Sequence, residues 1–151
     1  MRESAAETNE FPVVKLTDPI TNRSILHYQS PQHEVHHYYF ISPWSPDGKT
    51  LIFFQFDRSV GKLTARGRFP GALVRMNTDG SGRRVVTSGL KGNYHTGVNQ
   101  FWGPGNESVY FSDTSSAPAR LAEVNLATGK VRHPESPVRC DRLSPKGDLL
   151  S

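Results

Sequence analysis

One short pattern is written twice in this chain and begun a third time. Trp44-Ser45-Pro46-Asp47-Gly48-Lys49-Thr50-Leu51-Ile52-Phe53 reads against Trp102-Gly103-Pro104-Gly105-Asn106-Glu107-Ser108-Val109-Tyr110-Phe111. Trp, Pro and Phe fall at the same relative places in both. Ser144-Pro145-Lys146-Gly147-Asp148-Leu149-Leu150 opens a third copy that the chain does not complete. A repeat of this kind is one supersecondary unit that cannot bury its apolar face alone and must stack on its neighbours. The expectation is a fragment of a larger array.

Strand signals fill each copy. Leu51-Ile52-Phe53-Phe54-Gln55-Phe56 is aromatic and β-branched and follows a Pro-Asp-Gly turn. Ala72–Met76 and Arg83–Thr87 flank Asn77-Thr78-Asp79-Gly80-Ser81-Gly82, a hairpin with Asp-Gly in its turn. The second copy repeats the order, with Val109–Phe111, Leu121–Asn125, the turn Ala127-Thr128-Gly129, and Lys130–Arg132. The N-terminus carries half a unit: Val13–Asp18, then Pro19-Ile20-Thr21-Asn22, then Arg23–His27. No stretch shows helical periodicity with caps. Four short antiparallel strands per unit of about 40–45 residues is the signature of a β-propeller blade. The fold class expected is therefore all-β: about two and a half four-stranded blades of a seven-bladed propeller. Residues 1–10 are expected to be disordered. Residues 11–30 would be outer strands of the closing blade, 36–88 the first full blade, 94–133 the second, and 137–151 the start of a third. Arg58 to Pro70 reads as an insertion between the second and third strands of the first blade.

Composition narrows the function classes. The chain has 151 residues and one cysteine, Cys140, so it can build neither a disulfide framework nor a cysteine-based zinc site. Met1–Glu10 has no apolar segment of the secretory kind, and no run approaches the roughly 20 apolar residues of a membrane helix. The expectation is a cytoplasmic protein without a membrane or nucleic-acid partner. Lys and Arg outnumber Asp and Glu by 18 to 14, which suits either an ordinary basic surface or an acidic partner.

The innermost strand of a propeller blade lines the central channel. The repeat alignment sets His37 and His95 at equivalent places, each seven residues before its Trp. Both are channel candidates that can hold a carboxylate, bind a metal or move a proton; the alternative is a hydrogen bond to backbone at a blade seam. His33, His36 and His37 form a local cluster, but strand alternation sends His36 and His37 to opposite faces. Gln100 can bond sugar hydroxyls or satisfy its neighbours in the seam. Arg139 can clamp a carboxylate bidentately, or pair with Asp141 as a seam bridge. The insertion carries Arg58, Lys62, Arg66 and Arg68, a basic lip or a solvated surface. Trp44 and Trp102 are expected to pack in the core and between blades. No nucleophile elbow, phosphate loop or dinucleotide fingerprint appears.

Ser45-Pro46-Asp47-Gly48-Lys49-Thr50-Leu51-Ile52-Phe53 resembles the propeller repeat of TolB-type proteins. A more specific similarity is to the oligogalacturonate lyases. It rests on the hairpin Asp18-Pro19-Ile20-Thr21-Asn22 and on His36-His37-Tyr38-Tyr39-Phe40 running on to Trp44-Ser45-Pro46-Asp47-Gly48. It covers Phe11 to Asp57 well and the second blade more loosely. Asn22 departs from the Gly of that hairpin, a change that an αL-tolerant Asn absorbs. The resemblance implies a seven-bladed cytoplasmic propeller that degrades pectin fragments by β-elimination, with a histidine base and a manganese ion on the acidic sugar. That family's base and metal ligands lie mainly in later blades and match no residue here. The implied partners are an acidic oligosaccharide and the remainder of the propeller beyond Ser151, and the implied cofactor is a divalent metal, Mn2+. The alternatives are a TolB-like binding propeller and the propeller of a peptidase.

Overall fold

The computed structural model describes residues 12–36, 41–115, 117–135, 142–143 and 149–150. Every regular element among them is a β-strand. The first two, β1 (Val13–Thr17) and β2 (Ser24–Tyr28), form an antiparallel hairpin. Its turn is held by the Asp18 carboxylate, which accepts from Ile20 N at 2.8 Å and from Thr21 Oγ1 at 2.7 Å. Asn22 closes it at φ 55°, the left-handed region a short polar side chain tolerates. The same chemistry recurs after residue 125. Asn125 Oδ1 accepts from Thr128 N at 2.9 Å and Thr128 Oγ1 at 3.0 Å, and Gly129 takes φ 69°.

Two four-stranded antiparallel sheets follow, each with its strands in chain order. The first holds β3 (Glu34–Val35), β4 (Thr50–Phe56), β5 (Arg68–Asn77) and β6 (Arg84–Asn93). The second holds β7 (Phe101–Trp102), β8 (Ser108–Asp113), β9 (Arg120–Asn125) and β10 (Val131–Arg132). A further pair, β11 (Arg142–Leu143) and β12 (Leu149–Leu150), lies where the third repeat begins. Arg68, Phe69 and Pro70, read from sequence as the end of an insertion, already belong to β5 and pair with Asn93, Gly92 and Lys91.

Strand alternation explains the packing. Ile52, Phe54 and Phe56 point to one face of the first sheet. There they meet Leu73 and Leu90, and across the seam Val109, Phe111, Ala122 and Val124 of the second sheet. Phe53, Val74 and Met76 point to the other face, against Leu51 and Tyr28 of the N-terminal hairpin. Tyr28 also donates its hydroxyl to the Thr78 carbonyl. The first sheet is thus covered on both sides, which is why β4 reads as a nearly continuous apolar run. Each fully buried Phe, Val or Leu here is worth about 1.5–3 kcal/mol of transfer free energy.

Polar bonds fix the seam. Trp102 Nε1 donates to Pro43 O at 2.9 Å, and Asp47 N donates to Asn106 Oδ1 at 3.2 Å. Trp102 is 8% exposed, but Trp44, its repeat equivalent, is 52% exposed. That departs from the sequence expectation that both indoles pack between blades. Trp102 has a sheet before it to receive its N–H and ring, and Trp44 stands on the sheet that comes first.

Candidate functional site

A cleft of about 410 Å³ opens where the inner strands begin. Three segments build it. The inner strand of the first sheet, β3, contributes Val35 and its flanking residues His33 and His36, over Phe56 at the end of β4. The turn between β6 and β7 contributes Tyr94 and His95. The long loop between β4 and β5 contributes Leu63.

Asn93 ties two of these segments together. Its N–H donates to Gly97 O at 2.7 Å and its carbonyl accepts from Gly97 N at 2.9 Å, which closes the turn. Its side-chain Oδ1 accepts from His95 N at 2.9 Å. Its Nδ2 reaches the long loop, at 3.3 Å from Ala65 O and 3.4 Å from Gly67 O. The loop is also packed from beneath, with Val60 and Leu63 against the core and Phe69 edge-on to Phe56 at 6.2 Å. Gly97 sits at φ 57°, and a Cβ there would meet Gln100 Oε1 and Phe54 Cβ, both at 2.6 Å. The Tyr94 ring stands edge-on to the His95 ring at 4.4 Å.

Glu34 also borders the cleft, but its carboxylate is engaged. Arg83 Nη2 lies 2.5 Å from Glu34 Oε1, and Ser30 Oγ donates to the same oxygen at 2.9 Å. The Arg83 side chain is 5% exposed and its guanidinium lies 5.1 Å above the centre of the Phe53 ring. The charge of Glu34 is therefore compensated by a cation from the far side of its own sheet. Arg58, Lys62 and Arg66 of the long loop and Arg68 at the start of β5 are all exposed.

The sequence-derived candidates separate on this frame. His95 lies in the turn, not on the inner strand, and borders the cleft with His33 and His36. Gln100 is 1% exposed. Its Nε2 donates to Val35 O at 3.3 Å and its Oε1 accepts from Val98 N at 3.1 Å, so it stitches the two inner segments together inside the seam. His37 and Arg139 lie outside the described residues. Sequence reasoning missed Tyr94, Asn93 and the Glu34–Arg83 pair. The loop carbonyls that Asn93 reaches and the Arg83 that pairs with Glu34 lie 26 to 49 residues away in the chain and follow no repeat.

Among the described residues, no three His, Cys, Asp or Glu side chains form a group that can hold a metal ion. His33, His36 and His95 share a cleft without making a coordination set, so the described residues do not fit the metal centre that the resemblance implies. No helix of the described residues is long and apolar enough to cross a membrane.

No family model and no curated protein matches the sequence. Solved structures do. The chain is similar to an oligogalacturonate lyase in complex with manganese, at 16% identity and a TM-score of 0.59, over 82% of this chain and 29% of that one. It is similar to the oligogalacturonate lyase of Vibrio parahaemolyticus at 14% identity and a TM-score of 0.62, over 86% and 30%. It is also similar to TolB from Acinetobacter baumannii at 16% identity and a TM-score of 0.55, over 89% and 30%. The chain spans about 30% of the length of the structures it matches. At these identities the likeness is one of fold, and the fold is that of a β-propeller fragment.

Proposed function

We propose that this propeller fragment belongs to a lyase of the oligogalacturonate type, which cleaves short polyuronates by β-elimination. The observation that supports this reading most is the cleft itself: three histidines, two flanking β3 and one in the turn between β6 and β7, beside a basic loop. The likeness in fold to two such lyases supports this choice of reaction class. In that reaction the proton α to the uronate carboxylate passes to a base. The C–O bond β to the carboxylate breaks, its oxygen leaves with a proton, and the electron pair becomes a C=C bond. The part assigned to this chain is to bind and orient the acidic sugar, with imidazoles that can hold its carboxylate or carry a proton.

The same reading makes the intact protein a seven-bladed ring, with the β1–β2 hairpin as the outer half of its closing blade. It sets the protein in the cytoplasm and gives it an acidic oligosaccharide as partner. It carries a divalent-metal requirement, Mn2+ first, on the likeness to the manganese complex alone. The test mixes the full-length protein that contains this chain with oligogalacturonate and Mn2+, and follows the ultraviolet absorbance of the unsaturated uronide. A rise that a chelator abolishes is the expected result. No rise from well-folded protein would replace the lyase with a TolB-like binding propeller, the reading that the comparable likeness to TolB favours.

A further inference from the structure

We infer that Arg75 and Arg84 form an oxyanion site at the seam between the two four-stranded sheets, and that the ligand it takes is a phosphate group. The site lies apart from the cleft, and nothing in it rests on the lyase reading.

The pairing of β5 with β6 brings the two arginines together. Arg68 starts the ladder opposite Asn93, and that register carried on unbroken would set Val86 opposite Arg75. Irregularities on either side of Leu73 advance it, so that Arg84 faces Arg75. Bulges re-aim side chains in this way. Like charges directly opposite one another destabilise a sheet, so this register carries a cost that Val86 opposite Arg75 would not. Both arginines lie on the face that meets the second sheet. Leu73, two residues before Arg75, belongs to the core cluster on that face, and Val86, two after Arg84, packs against it. Arg84 Nη2 crosses the seam and donates to the Leu126 carbonyl.

Among the described residues no carboxylate meets either guanidinium. The ion pairs there are Glu34–Arg83, Glu123–Arg132 and Asp113–His133. Burial and the charge of Arg84 together hold the Arg75 guanidinium below its ordinary pKa, and no acid offsets them. Arg75 Nε has next to no accessible surface and is the one buried side-chain polar atom among the described residues without a hydrogen-bond partner. A buried donor left unpaired is costly.

Two half-buried guanidiniums, one with an orphaned N–H, therefore lack an anion. Geometry selects which anion fits. Each guanidinium is a planar fork that takes two oxygens side by side. A carboxylate has two oxygens and fills one fork. A phosphate group has oxygens for both, and its dianion matches the two positive charges. Set side-on against Arg75, it takes the orphaned Nε–H together with an Nη–H of the same group. The side chain is long and half-buried, so a turn about its last torsions brings that N–H to the ion.

The experiment uses the full-length protein that contains this chain, at about pH 8, where phosphate is mostly dianionic. Isothermal titration calorimetry with inorganic phosphate should show saturable binding with a Kd of about 1 mM or tighter, and acetate should bind at least about tenfold more weakly. Arg75→Met should weaken phosphate at least about tenfold, and so should Arg84→Lys, which keeps the charge and a donor for Leu126 O but loses the fork. Circular dichroism checks that each variant is folded. Phosphate at about 10 mM should raise the melting temperature of the parent by mass action, and chloride at matched ionic strength, which only screens the like charges, should not. Without phosphate, Arg75→Met should melt no lower than the parent, because it removes a like charge and an orphaned donor together. Glycerol phosphate separates two sources of the group: binding equal to that of the free ion assigns the site to phosphorylated ligands, and binding of the free ion alone assigns it a resident ion. A melting rise that chloride reproduces, phosphate binding unchanged in both variants, or an Arg75→Met that melts lower without phosphate would overturn the inference.

Discussion

Replacing Arg83 with methionine removes a guanidinium and keeps most of an aliphatic stem over the Phe53 ring. The side chain is 5% exposed, and its partner Glu34 is 23% exposed. A hydrogen bond to a charged partner is worth about 1.5–3 kcal/mol net, and a cation over a ring adds roughly 0.5–1 kcal/mol. Methionine recovers part of the ring contact through its sulfur. Glu34 recovers part of its hydration, and Ser30 Oγ still donates to it. The cost should therefore stay at or below the bottom of the roughly 3–5 kcal/mol found when a fully buried pair is broken. The expected loss is about 2–3 kcal/mol. With a urea slope of about 1–3 kcal/mol per molar, the unfolding midpoint falls by about 1 M and the slope is unchanged. A double-mutant cycle with Glu34→Gln should return a coupling of about 1.5 kcal/mol or more. A coupling below about 0.5 kcal/mol is what an exposed surface pair gives, and it would refute the argument that Arg83 engages the Glu34 carboxylate at the cleft border.

Three further outcomes are expected. Trp102→Phe should cost about 1–3 kcal/mol, because it removes buried area and the N–H to Pro43 O, whereas Trp44→Phe should stay within about 0.5 kcal/mol; equal melting shifts for the two would contradict the seam described here. Gly97→Ala should cost at least about 1–2 kcal/mol from its left-handed backbone alone, and it should move the His95 ring signals. For Asp113, burial pushes the carboxyl up, but donors outweigh it, namely Ser115 Oγ at 2.6 Å, Ser115 N at 2.9 Å and the His133 ring at 2.8 Å, so its pKa is held below the ordinary carboxylate range. A depressed native value stabilises the fold above the unfolded pKa of about 3.9 and is lost as the pH falls through the native one. Asp113→Asn should thus lower the melting temperature at pH 7 and approach the parent as the pH falls below the ordinary carboxylate range; a difference that does not change with pH would count against it.

The strands and hairpins were legible because their causes are local. Asp18 and Asn125 each satisfy a turn within three residues of themselves. The Asp79-Gly80 turn joins two strands that pair across it, with Arg75 opposite Arg84. The run Leu51–Phe56 reads as a strand from its residues alone, whereas the covering of both its faces is a matter of distant partners, the second sheet on one side and Tyr28 on the other. Asn22 took the left-handed turn position that its side chain suggested. The site was much less legible. The ladder pairs Val35 with Phe54 and Trp44 with Leu51, and these two pairings belong to different registers. A fixed repeat offset therefore did not carry His95 onto an inner strand, and the turn at Gly97 claimed it instead. Gln100 reads equally from sequence as a channel residue or a seam amide, and its bonds to Val35 O and Val98 N are those of the seam. The pairing of Glu34 with Arg83 spans a whole sheet and leaves no trace in any short motif.

The two tryptophans give the chain an optical consequence. They are its only indoles, and they occupy equivalent places in successive repeats, one sealed beneath a neighbouring sheet and the other half open to water. Their emission should therefore separate into a blue, quencher-resistant component from Trp102 and a red, quencher-accessible one from Trp44. If another element settles over Trp44, only the red component should move, so the fluorescence of the unlabelled protein would report that contact.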